Sequence, residues 1–140
     1  TTFYSALGDD DQKYFMARLL QVFAPGIPQV YYVGMLAGKN DIELLEKTKE
    51  GRNINRHYYS RQEVAEEVKR PVVSSLLKLF KFRNTEPAFD LNGSIEISTP
   101  TENEIQIIRR NKDKTSEAKL TANLKNLAYQ VFVNGQEVKF

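Results

Sequence analysis

The fold of this chain is decided by the stretch Gly26-Ile27-Pro28-Gln29-Val30-Tyr31-Tyr32-Val33-Gly34. Its centre, Val30 to Val33, consists of β-branched and aromatic residues bounded by glycine and proline, which is typical of a β-strand. Because apolar side chains would point to both faces, we expect a strand buried on both faces, as in a parallel sheet covered by helices. The order helix, buried strand, loop and helix predicts an α/β structure.

Helices are predicted on both sides of this strand. Before it, apolar residues recur at helical spacing from Phe15 to Phe23, and Pro25 stops the helix. After it, Asn40 is expected to cap a short helix. Ser60 and Glu63 then form a capping box that opens another, which Pro71 should kink or restart.

The last part of the chain has a different period. Beyond residues 87–93, rich in turn-forming residues, apolar side chains alternate with polar ones, and Asn134-Gly135 is a strong hairpin signal. These features predict a small antiparallel sheet over residues 94–140, joined by a linker at 87–93 to an α/β part at 1–86. The alternating residues are Ile95 and Ile97, Ile105 and Ile107, Ala118, Leu120 and Ala122, Val131 and Val133, Val138 and Phe140.

Composition excludes several classes of function. The chain has 140 residues, 41% of them hydrophobic, and a net charge of +2 with mixed signs, too weak a bias for binding nucleic acid or an anionic membrane. It has no cysteine, no membrane-length apolar run and no signal-peptide pattern, so a cytoplasmic setting is the default. The acidic run Asp9-Asp10-Asp11 is explained by a helix N-terminus, so we predict no metal site there. No cofactor is predicted either.

The loop after the predicted strand carries the candidate site, because ligands of α/β folds meet the carboxyl ends of strands. Arg52, beside Gly51, could bind a carboxylate or a substrate oxygen with its planar guanidinium, or could pair with a loop acid to keep the loop folded. For Arg56 a structural role is favoured. His57, the only histidine, is interpreted as a packing residue because no partner carboxylate is identifiable nearby.

One long run also resembles a known family. The sequence GIPQVYYVGMLAGKNDIELLEKTKEGRNINRHYYS is similar to the end of the catalytic barrel in sucrose phosphorylases, a branch of the α-amylase superfamily. The resemblance extends through TTFYSALGDDDQKY before it and KRPVVSSLLKLFKFRN after it, and fades beyond about Asp90. It implies that residues 1–86 are the last helix-strand-helix portion of a (β/α)8 barrel. Since such a barrel needs about 250 residues, we expect a carboxy-terminal part of a larger enzyme.

The resemblance also implies a reaction. Sucrose and phosphate would become glucose 1-phosphate and fructose with retained configuration, by double displacement between two carboxyl groups. The first arginine of the family's motif, here Arg52, lies at the floor of the glucose subsite, and Asn53 stands where aspartate is common. The motifs of the nucleophile, the acid/base and the third carboxylate come from earlier strands and do not occur here. We therefore predict no catalytic residue in this chain, and no activity of the chain alone.

Alternatives remain open at this point. The substrate could instead be sucrose 6′-phosphate or a glucosylglycerol. In other classes, the β-rich tail could be a non-catalytic carbohydrate-binding module, with Tyr129, Phe132 and Phe140 as its aromatics, or the chain could form a homodimer or self-associate through exposed apolar edges.

Overall fold

A computed structural model describes all residues from 1 to 140 and shows a helical part followed by a five-stranded antiparallel sheet, which confirms the predicted order. No helix combines the length and the apolar character that crossing a membrane requires. The helices are α1 (Phe3–Ala6), α2 (Asp11–Phe23), α3 (Tyr32–Met35), α4 (Ile42–Thr48), α5 (Arg61–Glu67) and α6 (Pro71–Thr85), with 3-10 turns at Gly51–Asn55 and Pro87–Phe89. The strands are β1 (Ser94–Ser98), β2 (Glu104–Arg110), β3 (Glu117–Asn123), β4 (Tyr129–Val133) and β5 (Gln136–Val138).

The strand predicted at Val30 to Val33 does not form in this structure. Residues 29–31 have no regular structure, and α3 begins at Tyr32, with the Met35 amide donating to the Tyr31 carbonyl over 3.0 Å. Tyr31 is 54% exposed and Tyr32 40% exposed. The physical reason is that an interior strand needs neighbouring strands to satisfy its backbone groups. No strand lies in residues 1–93, so the segment makes local hydrogen bonds instead.

The contacts divide the chain into two compact units. The first comprises residues 1–18 and 29–77, and the second comprises residues 19–28 and 78–140. Because both units are discontinuous in sequence, the domain boundaries predicted around 87–93 stay a prediction.

Local helix signals are largely confirmed. Ser60 and Glu63 form the predicted capping box at the start of α5, and α6 restarts at Pro71 after α5 has ended at Glu67. The cap of α4 is Asp41 rather than Asn40, because the Asp41 carboxylate accepts the Leu44 amide over 2.8 Å. The Asn40 side chain instead accepts the backbone amide of Thr2 over 2.6 Å.

The interior of the first unit is built around Tyr14, whose side chain is fully buried. Its ring meets the ring of Tyr4 edge-on at 5.3 Å, and its hydroxyl donates to the Gly34 carbonyl over 2.6 Å. The buried Arg18 donates its Nε–H to the same hydroxyl over 3.0 Å. A side chain at position 34 would meet the Arg18 guanidinium, which would have to move away from its present place to make room.

In the second unit, β1 to β5 follow chain order and pair antiparallel. The predicted alternation is confirmed in β3, where Ala118, Leu120 and Ala122 are buried and their neighbours are not. Leu120 lies between Ile107 of β2 and Val131 of β4. The predicted hairpin turn at Asn134-Gly135 is also confirmed, with φ values of 49° and 82°.

Candidate functional site: the Arg52 turn and the His57 cluster

Arg52 lies on the 3-10 turn Gly51–Asn55, which we call the Arg52 turn. Its side chain is 67% exposed, and its Nε–H donates to the Glu50 carboxylate over 3.1 Å. The two terminal amino groups of its guanidinium make no hydrogen bond within the chain. An exposed pair of this kind stabilises a protein by about 1 kcal/mol or less. Arg52 therefore pairs with a loop acid, as one reading of the sequence expected, yet keeps its planar donor edge free.

Hydrogen bonds join the Arg52 turn to α4. The buried Asn53 donates through its side-chain amide to the Thr48 hydroxyl over 2.9 Å, and the Thr48 hydroxyl donates to the Leu44 carbonyl over 2.8 Å. Since that hydroxyl already uses its proton, it can only accept from position 53. An asparagine provides the donor that an ionised aspartate would lack. The neutral Asn53 can therefore make a hydrogen bond to α4 that an ionised aspartate could not make.

His57 lies between two carboxylates, which corrects the expectation that it has none nearby. Its Nδ1 is 2.6 Å from Oδ2 of Asp41, and its Nε2 is 2.9 Å from Oε1 of Glu63. We call these three residues the His57 cluster. Asp41 precedes His57 by 16 residues, so local sequence patterns did not indicate the contact. Glu63 was recognised only as a cap, although its carboxylate serves both the histidine and the amide of Ser60.

The His57 cluster shifts the protonation of all three members. The hydrogen bond to Asp41 is the largest cause that raises the pKa of His57, and the hydrogen bond to Glu63 adds to it. The pKa of Asp41 is lowered, mainly by its hydrogen bond with His57. The pKa of Glu63 falls to about 2, chiefly because its carboxylate accepts the backbone amide of Ser60. All three shifts favour a histidine cation between two carboxylates.

A cleft of about 930 Å³ in the first unit is lined by part of this cluster and by Arg70. Arg70 donates to Glu67 over 2.6 Å and lies 5.6 Å from the centre of the Tyr4 ring. Arg52 is not among the lining residues. The cleft and the Arg52 turn are consequently separate features of the same unit.

The remaining candidates from the sequence do not converge on a site. Arg56 is exposed, and its side chain makes no hydrogen bond or ion pair. In the acidic run, Asp10 accepts the Lys13 amide at the start of α2, whereas Asp11 accepts the Tyr4 hydroxyl. No group of three or more histidine, cysteine or acidic side chains could hold a metal ion.

The whole chain is similar to known proteins in sequence and in structure. No family model matches it. The sucrose phosphorylase of Streptococcus mutans is 66% identical over 140 residues, which are 100% of this chain and 29% of that protein. The sucrose phosphorylase of Bifidobacterium adolescentis is 55% identical over 121 residues, or 86% of this chain and 23% of that protein. The chain thus spans less than a third of the length of these curated relatives.

A solved structure matches as well. The crystal structure of sucrose 6F-phosphate phosphorylase from Thermoanaerobacter thermosaccharolyticum gives a TM-score of 0.89 at 47% identity, over 99% of this chain and 28% of that one. The chain therefore has the fold of the corresponding region of that enzyme.

Proposed function

This chain belongs to the sucrose phosphorylase family, and from that premise we propose that it is part of an enzyme that converts sucrose and phosphate to glucose 1-phosphate and fructose. The observation that carries the proposal is the 66% identity to a sucrose phosphorylase along all 140 residues. In the complete protein, residues 1–86 would form the last part of the (β/α)8 barrel, 87–93 a linker and 94–140 the sheet domain. Val30 to Val33 would then gain the strand neighbours that they lack here.

The reaction requires groups that this chain does not supply. A carboxylate attacks the anomeric carbon and breaks its bond to fructose, while a second carboxyl about 5 Å away gives its proton to the departing oxygen. Phosphate then attacks the same carbon, breaks the bond to the enzyme and returns a proton to the second carboxyl. The configuration is retained because two inversions occur. We place all three acidic groups of this chemistry outside residues 1–140, so the chain alone would be inactive.

We propose Arg52 as the residue of this chain that binds the glucosyl ring. A guanidinium has five N–H donors in one plane and suits the closely spaced oxygens of a sugar. Support comes from its exposure, its free terminal amino groups and the hydrogen bonds that fix its turn at Asn53 and Ile54. The exposed ion pair with Glu50 is weak enough to yield to a partner in the complete site.

Sucrose is the substrate that we favour over its alternatives. The identity to the Streptococcus mutans sucrose phosphorylase exceeds the 47% shared with the solved sucrose 6F-phosphate phosphorylase. Sucrose 6′-phosphate and glucosylglycerol remain alternative substrates of the proposed enzyme. No cofactor and no metal enter the proposed reaction, and neither nucleic acid nor a membrane is a proposed partner. We propose a cytoplasmic setting because the chain has no cysteine.

The proposal is tested by a chimaera in which this chain replaces the matching region of the Streptococcus mutans enzyme. We expect the chimaera to release fructose and glucose 1-phosphate from sucrose only when phosphate is present. The chain by itself should release neither. Fructose release by the isolated chain, or a folded chimaera without phosphorolysis, would contradict the proposal.

Self-association of this chain is a second proposal, favoured by the exposed apolar side chains of the first unit. Tyr31, Tyr32 and Met35 are all exposed on the segment that was predicted to be a buried strand. Exposed apolar side chains that lie this close in sequence favour contact with another copy. The carbohydrate-binding alternative gains no such support, because Phe140 packs at 5.4 Å against Phe82 and Tyr129 is half-buried.

A further inference from the structure

We infer that His57 is a positioning residue for Arg52: its doubly protonated ring, held between Asp41 and Glu63, fixes the Arg52 turn in the orientation that sugar binding needs. The inference rests on the proposed role of Arg52. It adds a residue for which the sequence indicated only packing.

The geometry joins the two ends of the segment that carries Arg52. Asp41 is the last residue before α4, and His57 lies two residues after the end of the Arg52 turn. Asp41 makes three contacts at once. Its amide donates to the Ile54 carbonyl over 2.8 Å, Oδ1 accepts the Leu44 amide over 2.8 Å, and Oδ2 meets His57 at 2.6 Å. Asp41 therefore joins the two ends of the segment from 41 to 57, and we call this connection the closure.

Glu63 extends this closure to the next helix. It occupies the third position of α5, where it completes the capping box with Ser60 and also faces Nε2 of His57. The Tyr32 hydroxyl donates to the backbone carbonyl of His57 over 2.9 Å, which fixes the main chain at the same point. The histidine thus connects α3, the start of α4 and the start of α5 around the base of the Arg52 turn.

The arrangement requires both ring nitrogens to carry protons. A neutral imidazole donates from one nitrogen and accepts at the other. With a carboxylate oxygen against each nitrogen, the neutral form would leave one lone pair facing a negative oxygen. Only the imidazolium makes both contacts favourable, and it makes them as charge-assisted hydrogen bonds.

The charged surroundings of the ring support the same state. Asp41 and Glu63 are the ionised groups that face it, and neither makes an ion pair with a lysine or an arginine. The ring of Tyr59 meets it edge-on at 4.6 Å, and the Tyr32 hydroxyl contacts its backbone rather than its ring. The pKa of His57 is raised and those of both carboxylates are lowered, and each of these shifts favours the charged form of its group. Deprotonation of His57, as the pH rises through its raised pKa, would weaken one of the two contacts that the ring makes with Asp41 and Glu63.

The first experiment uses the isolated chain, in which His57 is the only histidine. Nitrogen-15 NMR of the ring should show both nitrogens protonated at pH 6, and a titration midpoint above the ordinary value near 6.5. The amide signals of Arg52 and Asn53 should shift with the same midpoint. A midpoint at or below the ordinary value, or amides of the Arg52 turn that ignore the titration, would overturn the inference. No substitution is needed, so the failure of a variant to fold cannot obscure the result.

Variants that each lack one carboxylate then show which carboxylates raise the titration midpoint of His57. Asp41→Asn and Glu63→Gln should each lower the midpoint, because each removes one negative charge from the ring. Glu46→Gln is the matched control: it removes an exposed carboxylate from α4, the helix that Asp41 caps, and should leave the midpoint unchanged. Equal midpoints in all three variants would contradict the geometry.

The second experiment separates positioning from general stability. In the chimaera, KM for sucrose should rise several-fold as the pH passes the NMR midpoint of His57, with a smaller change in kcat. In the His57→Gln chimaera, KM at low pH should already be higher than in the chimaera with His57. The rise of KM with pH should be absent. A KM profile that is the same in both proteins would exclude a positioning role. If a substitution of Arg52 changes neither KM nor kcat, the proposed sugar contact is refuted but the NMR result still stands. The failure of the proposed function can therefore be distinguished from the failure of this inference.

Discussion

Arg109 donates hydrogen bonds to the carbonyl oxygens of Phe23 and Ala24, at 3.2 Å and 2.9 Å, across 86 and 85 positions of sequence. Phe23 is the last residue of α2, so a side chain of β2 satisfies carbonyls that the helix leaves unpaired. The positive charge also lies at the negative end of the helix dipole. The Arg109 guanidinium lies 5.4 Å from the centre of the Phe89 ring, and the residue is 4% exposed.

Arg109→Met should therefore lower the free energy of unfolding by about 1–3 kcal/mol, because buried carbonyls lose their donor. Arg110→Met is the matched control. Arg110 pairs with Glu96 and Glu117 at the surface, and its loss should cost about 1 kcal/mol or less. Urea unfolding of the two variants measures the difference. Equal losses would show that the contacts of Arg109 with the end of α2 contribute nothing special.

Gly93→Ala should also destabilise the chain. A side chain at this position would overlap the backbone carbonyl oxygen of Arg110, which a rotamer change cannot relieve. The expected loss is about 1–3 kcal/mol, as for other overpacked positions. Gly51→Ala, where an added carbon meets nothing within 4 Å, provides the control and should change the unfolding midpoint little. If the two alanine variants unfold alike, the close approach at Gly93 is not real.

The His57 cluster gives stability a defined pH window. Because the pKa of His57 is raised, its contribution is fully present below about pH 6.5 and is lost as the pH rises through the raised value. Because the pKa values of Asp41 and Glu63 are lowered, the contribution of these carboxylates to stability is present above about pH 4.3. It is lost as the pH falls through their lowered pKa values. The cluster should be complete between these limits.

His57→Gln should accordingly lower the urea midpoint more at about pH 5.5 than at about pH 8.5. The loss should stay near or below about 1 kcal/mol because the cluster is partly exposed to solvent. Paired unfolding curves of wild type and variant at the two pH values provide the measurement. A loss that is the same at both would mean that the histidine acts through packing, as the sequence alone suggested.

The sequence could predict the structural features that depend on residues close together in the chain. The capping box of Ser60 and Glu63, the restart at Pro71 and the turn at Asn134-Gly135 each depend on residues within three positions, and all three formed. Alternation likewise located β3, because one face of a strand in a small sheet must be buried.

What could not be predicted depends on distant residues. The Val30 to Val33 segment has the composition of an interior strand, but a strand also needs partners, and none lies in the first 93 residues. The contacts of His57 with Asp41 and of Arg109 with Phe23 cross 16 and 86 positions, beyond any local pattern. Arg52 could be singled out only through its place in a family motif, because its neighbours alone were equally consistent with a structural role.

Self-association should be visible in solution if the exposed apolar residues of the first unit are used. We expect light scattering to show an average mass above that of one chain, rising with protein concentration. Tyr31→Ser should shift the average towards the monomer because it removes an exposed aromatic ring. A monomeric wild-type chain at high concentration would refute this proposal.

The central claim, that Arg52 binds the glucosyl ring, is tested most directly by comparing two glutamine variants in the chimaera with the Streptococcus mutans enzyme. Arg52→Gln and Arg56→Gln remove the same charge from exposed positions four residues apart. We predict that Arg52→Gln lowers kcat/KM for sucrose phosphorolysis by about 10- to 100-fold, the worth of a charge-assisted hydrogen bond, while Arg56→Gln changes it little. An unchanged kcat/KM in Arg52→Gln, or an equal loss in both variants, would contradict the account.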